Sequence, residues 1–459
     1  MRRVLPVVAL LALVALGLPW WLGGEAERLY DRALAQLSAQ GLRVLDSHYE
    51  RGWFASRATA KLVLRPRSPR TTGRQELAVR VESLIQHGPW SLKAPRMLPA
   101  AAFIESRVSF GPKAAESPSV DLDTIVDVDG GGVTRLHVPA RKPSGTQEPA
   151  QITLAQGTGE LRFSPDLASG QGWLELPAVQ LTADGETVRV RNLRIQSSGS
   201  RGVGGFLTGT GHLTVGEVDA EGLGGNLRAS GISMAGESRP DGDLLNLHAE
   251  YRVTDLVING ARYAPSVLAL SIRRLAGPAL ASLQQALDAL SENGVEPSTA
   301  GITAAAIFAS HLPALLTADP GIALERLEIS TPDGPVSGKL SVAVNGLTPQ
   351  ALRRRGAWLQ HLVGEGELDL PEPLLVRLMT DWRRRQVLAE LRKQDEQVAT
   401  VPTEYEARIA AAAAEQLAGL VRQGWVTQER GRITTGVKLA DALLTINGKT
   451  LPLGVPDVP

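Results

Sequence analysis

Alternating apolar and polar residues recur through residues 42–272 in runs short enough to be strands, and this pattern restricts the fold more than any other feature. Such runs lie at 42–47, 58–64, 75–86, 101–110, 120–128, 133–138, 152–163, 172–181, 187–196, 206–218, 224–235, 244–258 and 263–272. Asp129-Gly130-Gly131-Gly132, Asp184-Gly185, Asp241-Gly242 and Asn259-Gly260 separate several of them as turn signals. Parallel strands need crossovers of a dozen or more residues, so connections this short predict antiparallel pairing. Aromatic residues are only 4% of the chain while glycine numbers 47, so the core must be assembled from Leu, Val, Ile and Ala.

The second constraint is a charge-free stretch at residues 4–22, preceded by Arg2 and Arg3 and followed by Glu25, Glu27 and Arg28. At about 1.5 Å per residue it matches the thickness of a bilayer's hydrocarbon core, and the leading arginines favour a cytoplasmic amino terminus. Gly24 and Ala26 offer the small residues of a cleavage site, yet Trp20-Trp21 at the end of the run favours an uncleaved anchor. Ala26, Leu29, Tyr30, Ala33, Leu34 and Leu37 then recur at helical spacing up to Gly41. With no cysteine the chain builds no disulfide, and with 48 basic against 48 acidic residues it lacks the excess expected of a nucleic-acid binder.

The pattern changes after residue 275. Leu280, Leu283, Leu287 and Leu290 share a helix face behind Pro278, and residues 302–316 form a more apolar helix interrupted by His311 and Pro313. A strand pair at 323–330 and 336–345 follows, then helices at 349–361 and 373–396. Thr403 with Glu406 reads as a capping box ahead of a helix whose Ile409, Ala413 and Leu417 share a face. Strands at 433–439 and 442–446 and the Asn447-Gly448-Lys449 turn close the chain.

Neither a phosphate-binding loop nor a nucleophile elbow occurs, and the seven histidines are scattered singly. These observations predict no catalytic residues, no cofactor and no metal. Asp121, Asp123, Asp127 and Asp129 would share one strand face, but Ile125 breaks the spacing of a calcium loop, and a solvated strand face is the better reading. Arg383-Arg384-Arg385 sits among Asp381, Glu390 and Asp395, which again suits a solvated helix face. The best places to look for binding are the Arg51–Ser56 turn, above all Arg51, Gly52, Trp53 and Phe54, and the segment His87-Gly88-Pro89-Trp90. The competing structural account has Gly52 and Gly88 supplying unusual backbone angles while the aromatic rings staple the first hairpin to the next strand.

Arg51-Gly52-Trp53-Phe54-Ala55-Ser56 after an anchor, His87-Gly88-Pro89, Leu315-Leu316-Thr317-Ala318-Asp319-Pro320 and the closing Asn447-Gly448-Lys449 fall in an order that resembles the bacterial YdgA-like family. The likeness runs over nearly the whole chain, and in that family the Trp53 position holds phenylalanine or another apolar residue. The resemblance implies an inner-membrane-anchored protein facing the periplasm of a Gram-negative bacterium, and it brings no activity. The layout is also similar in outline to the AsmA-like envelope proteins.

The fold expected is therefore α+β. A transmembrane helix (1–24) precedes a large curved antiparallel β region (25–275) and a helical section with returning strands (276–459). The function expected is non-enzymatic: lipid bound or guided in an apolar groove of the sheet, or assembly with another envelope protein through an exposed sheet edge. The partners expected are the inner membrane and either phospholipid or that second protein, with no nucleic acid.

Overall fold

The computed structural model describes residues 24, 27, 28, 30, 31, 34, 42–64, 77–87, 100–111, 118–142, 150–183, 185–222, 225–292, 297–352, 354, 356–394 and 400–453. They form an antiparallel sheet of 22 strands with few helices. The chain divides into two compact units: Met1–Ser200 with Leu213–Leu223, and Arg201–His212 with Gly224–Pro459.

Unit 1 is built from Leu42–Glu50 (β1), Ala55–Leu64 (β2), Leu77–His87 (β3), Ala100–Phe110 (β4), Ser119–Asp127 (β5), Gly132–Val138 (β6), Ala150–Leu154 (β7), Gly157–Phe163 (β8), Ser169–Ala183 (β9) and Glu186–Arg201 (β10). Leu207–Gly222 (β11) follows, with Leu213 onward in this unit. Strands β1 to β6 pair in sequence order, β6 pairs with β8, and β9 pairs with β10. β7 and β8 pair with β9 in one unbroken register, so they act as a single strand interrupted at Ala155–Gln156. Residues 24, 27, 28, 30, 31 and 34 are helical. Tyr30 packs on Ala58, Ile85, Ala102 and Val126, and Leu34 packs on Ala60, Leu62 and Val79. Those sheet residues alternate along β2, β3 and β4 with period two, so one face of the first strands becomes the buried core.

Unit 2 contains Gly225–Asp241 (β12), Leu244–Ile258 (β13), Ala261–Arg262 (β14), Ser266–Ala276 (β15), Gly321–Thr331 (β16), Gly334–Val344 (β17), Leu362–Pro371 (β18), Thr427–Glu429 (β19), Arg432–Ala440 (β20), Leu443–Ile446 (β21) and Lys449–Pro452 (β22). Its helices are Gly277–Glu292 (α1), Pro297–Leu316 (α2), Pro349–Leu352 (α3), Glu372–Gln394 (α4) and Thr403–Arg422 (α5). α1 and α2 lie in sequence between β15 and β16, yet those strands pair directly; α4 and α5 separate β18 from β20, which also pair directly.

This corrects the expected α+β division. The helices are excursions between neighbouring strands, and the ladder continues past residue 276 without a change of architecture. The expected transmembrane helix is not found either: among the described residues no helix is long and apolar enough to cross a membrane. α2 is 20 residues long and carries no charge, but small and polar residues, His311 and Pro313 dilute it. Residues 4–22, on which the span was expected, lie outside the described residues.

Two local expectations also change. Pro402, not Thr403, caps α5, and no side-chain bond closes that end. Glu406 instead receives Arg384 of α4 in a bidentate pair, Nε to Oε1 at 3.0 Å and Nη2 to Oε2 at 2.8 Å. Arg383 of the same cluster donates to Gln416 Oε1. The arginine cluster therefore ties α4 to α5 and is not simply a solvated face, because planar guanidinium groups match carboxylate geometry.

Candidate functional site

The turn between β1 and β2 carries four of the residues singled out in the sequence, and β3 brings His87 beside it. The backbone N–H of His87 donates to the Phe54 carbonyl at 2.8 Å. Inside the hairpin, the hydroxyl of Ser56 lies 2.8 Å from His87 Nε2 and accepts the Gly52 N–H at 3.3 Å. Ser56 and His87 are both buried. His87 Nδ1 has no hydrogen-bond partner among the described residues, and neither does the buried hydroxyl of Tyr30. Tyr30 leans on Tyr49 with ring centroids 5.7 Å apart.

Burial lowers the pKa of the His87 imidazole, and the nearby Arg51 charge adds to the effect. The geometry explains the direction: the imidazolium carries a proton on both nitrogens, and the one on Nδ1 would lie away from water and without an acceptor. Burial likewise pushes the phenols of Tyr30 and Tyr49 up. A serine hydroxyl bonded to an imidazole is the pairing of a nucleophile with its base. Here Ser56 is 1% exposed, so the bond joins β2 to β3 inside the core.

Gly52 is needed for space and not for an unusual backbone angle: it lacks a positive φ, and a Cβ on it would stand 2.0 Å from the Ala55 carbonyl oxygen. The hairpin is tied to the next strand through backbone. Trp53 is 51% exposed and Phe54 57% exposed, so the backbone bond from His87 does the joining and both rings reach solvent. Gly88 and Pro89 lie outside the described residues.

A second surface emerges from strand register. Side chains of directly paired antiparallel residues project from the same face. In unit 2 this places Tyr251, Leu268, Leu327 and Leu368 in one row. Leu270, Leu324, Leu340 and Val437 form the next. Ile272, Ile322, Val342, Leu439, Leu444 and Leu451 form a third. Ile322 is 62% exposed and Leu340 49%, with Leu270, Leu368, Val342 and Leu451 exposed as well. Gly338, Gly364 and Gly366 interrupt the rows, and the neighbouring Leu368, Val342 and Leu340 lean over them.

The opposite face is charged. It carries the ion pairs Arg252–Glu250, Arg326–Glu328, Lys339–Glu367 and Arg432–Asp369. Aspartates behave the same way in unit 1, where Arg107 Nε bonds Asp121 at 2.7 Å on the charged side of β4 and β5. Among the described residues no group of three or more His, Cys, Asp or Glu side chains could hold a metal ion.

Residues 3–454 match the family described as "Bacterial protein of unknown function (DUF945)". The chain belongs to that family. Its residue order, similar to YdgA-like proteins, is consistent with this membership. No curated protein matches the chain.

Sequence reasoning found the Arg51–Ser56 turn and His87 but gave Ser56 no role of its own and passed over Tyr49 and Tyr30, which pack on the Ala58, Ile85, Ala102 and Val126 core beside it. A signal was present for Ser56. It continues the period-two stripe of Ala58, Ala60 and Leu62 and is the one polar member of it.

Proposed function

We propose that this DUF945 member is a non-enzymatic envelope protein of the YdgA-like kind, at the inner membrane with the bulk of the chain in the periplasm, and that it binds or guides lipid. The observation that carries this reading is the uncovered aliphatic face of unit 2, with Ile322, Leu340 and Leu270 exposed side by side on paired strands. Monomeric proteins rarely leave so contiguous an apolar surface without a ligand or partner for it. Extended to Leu247 of β13 and passing Gly364 of β18, the third row crosses eight strands up to β22; at about 4.8 Å per strand it extends roughly 34 Å, against about 30 Å for the hydrocarbon core of a whole bilayer. An acyl tail has room to lie along it, gaining up to about 0.8 kcal/mol for each methylene removed from water. The location is supported by Arg2 and Arg3 ahead of the charge-free residues 4–22.

A partner strand added at the sheet edge has less support, because β22 is only four residues long and ends on Pro452, a poor template for pairing. The deciding experiment is native mass spectrometry with lipid extraction on the full-length chain purified from Gram-negative envelopes. Bound phospholipid is expected, and Leu340→Asp together with Ile322→Asp should remove it while leaving the fold intact. A lipid-free mass for the unsubstituted chain would end the lipid reading and direct attention to crosslinked protein partners.

A further inference from the structure

We propose that Trp53 and Phe54, at the tip of the β1–β2 hairpin, seat among the headgroups of the phospholipid bilayer to which residues 4–22 direct the chain. The proposal rests on the inner-membrane location given above. The chain has 19 aromatic residues, 8 Trp, 5 Tyr and 6 Phe, and only two pairs of them are adjacent in sequence: Trp20-Trp21 and Trp53-Phe54. Gly24, three positions after Trp21, approaches the Arg51 guanidinium so closely that a Cβ on it would stand 3.1 Å from Nη2. The hairpin therefore lies beside Gly24, the second residue after the charge-free run 4–22.

Exposure of the two rings is built into the turn. The Phe54 carbonyl is held by His87 N–H, the Gly52 N–H is held by Ser56, and Gly52 has no room for a side chain. With the backbone fixed from inside, both rings point outward at 51% and 57% exposure. Tryptophan and its aromatic neighbours favour the bilayer interface, where an apolar ring body and a polar edge are both accommodated. The bilayer surface also accounts for the pair better than the unit's own core, from which the tip points away.

The absence of cysteine makes the test clean, since Phe54→Cys gives a single labelling site. The full-length chain carrying an environment-sensitive fluorophore at that position is reconstituted in phosphatidylethanolamine–phosphatidylglycerol vesicles containing a shallow, headgroup-region spin-labelled lipid. Val128→Cys serves as the reference, being exposed at the β5–β6 turn of the same unit. The expected result is a blue-shifted emission and several-fold stronger quenching at position 54 than at position 128. Vesicle flotation separates the two ideas. A chain that floats but shows equal, weak quenching at both positions overturns the hairpin contact alone. A chain that does not float overturns the membrane location and the contact together.

Discussion

Ala58, Ala60, Leu62 and Ile85 of unit 1 are almost wholly buried, whereas Leu270, Ile322, Leu340 and Leu368 of unit 2 stand open, although both sets come from the same alternation on antiparallel strands. The difference is cover. Tyr30 and Leu34 lie over the first stripe and turn it into a core. In unit 2, Leu370 and Ile433 are buried on the apolar face where α4 meets β18 and β20, and the rows beyond remain exposed. An identical pattern of residues thus gives a core in one place and a candidate ligand surface in another, and only the helix laid across it distinguishes them.

The sharpest way to break this comparison is to place a carboxylate in each stripe. Ile85→Asp puts a charge among Ala58, Ala102 and Val126 with no cation to pair it, and should cost more than about 4 kcal/mol, enough to unfold unit 1. Leu340→Asp meets water already and should change stability by no more than about 0.5 kcal/mol. Denaturant titration followed by circular dichroism checks both; equal losses would mean that the unit 2 face is packed in solution. A smaller effect is expected at the hairpin. Gly52→Ala forces its Cβ against the Ala55 carbonyl and should cost about 1–3 kcal/mol in the same titration. A neutral result would show that the Arg51–Phe54 backbone yields easily.

Much of the sheet was legible because period-two alternation is a local signal: β12 and β13, the Asp241-Gly242 turn between them and the Asn447-Gly448 hairpin follow directly from residue order. The α+β division misled because helix content is local while strand pairing is not. Nothing in α1 and α2 announces that β15 and β16 will pair across them. The capping-box reading failed for a related reason: Glu406 found Arg384, 22 residues away, and a bidentate ion pair outcompeted the local cap. At the candidate site, Trp53 and Phe54 were visible as large apolar residues in a turn, but their direction depended on the Phe54–His87 bond, which links that turn to β3.

The smallest effect, and the one that probes the covered stripe most finely, is the response of unit 1 to acid. His87 has a folded-state pKa below its ordinary value near 6.5, through burial first and the Arg51 charge second. Between that depressed value and about pH 6.5 the unfolded chain binds a proton that the folded chain refuses, so stability must fall as the pH drops through this window. Above about pH 6.5 both states hold the neutral ring and the contribution is complete. Denaturation midpoints at about pH 7.5 and 5.5 should therefore separate, and His87→Gln, which does not titrate, should narrow the gap between them. The absolute stability of that variant is a poor guide, because it also disturbs the bond to Ser56; the slope with pH isolates the proton. An unchanged slope would mean that Nδ1 finds an acceptor or water in solution, and that the stripe under Tyr30 is less sealed than its burial implies.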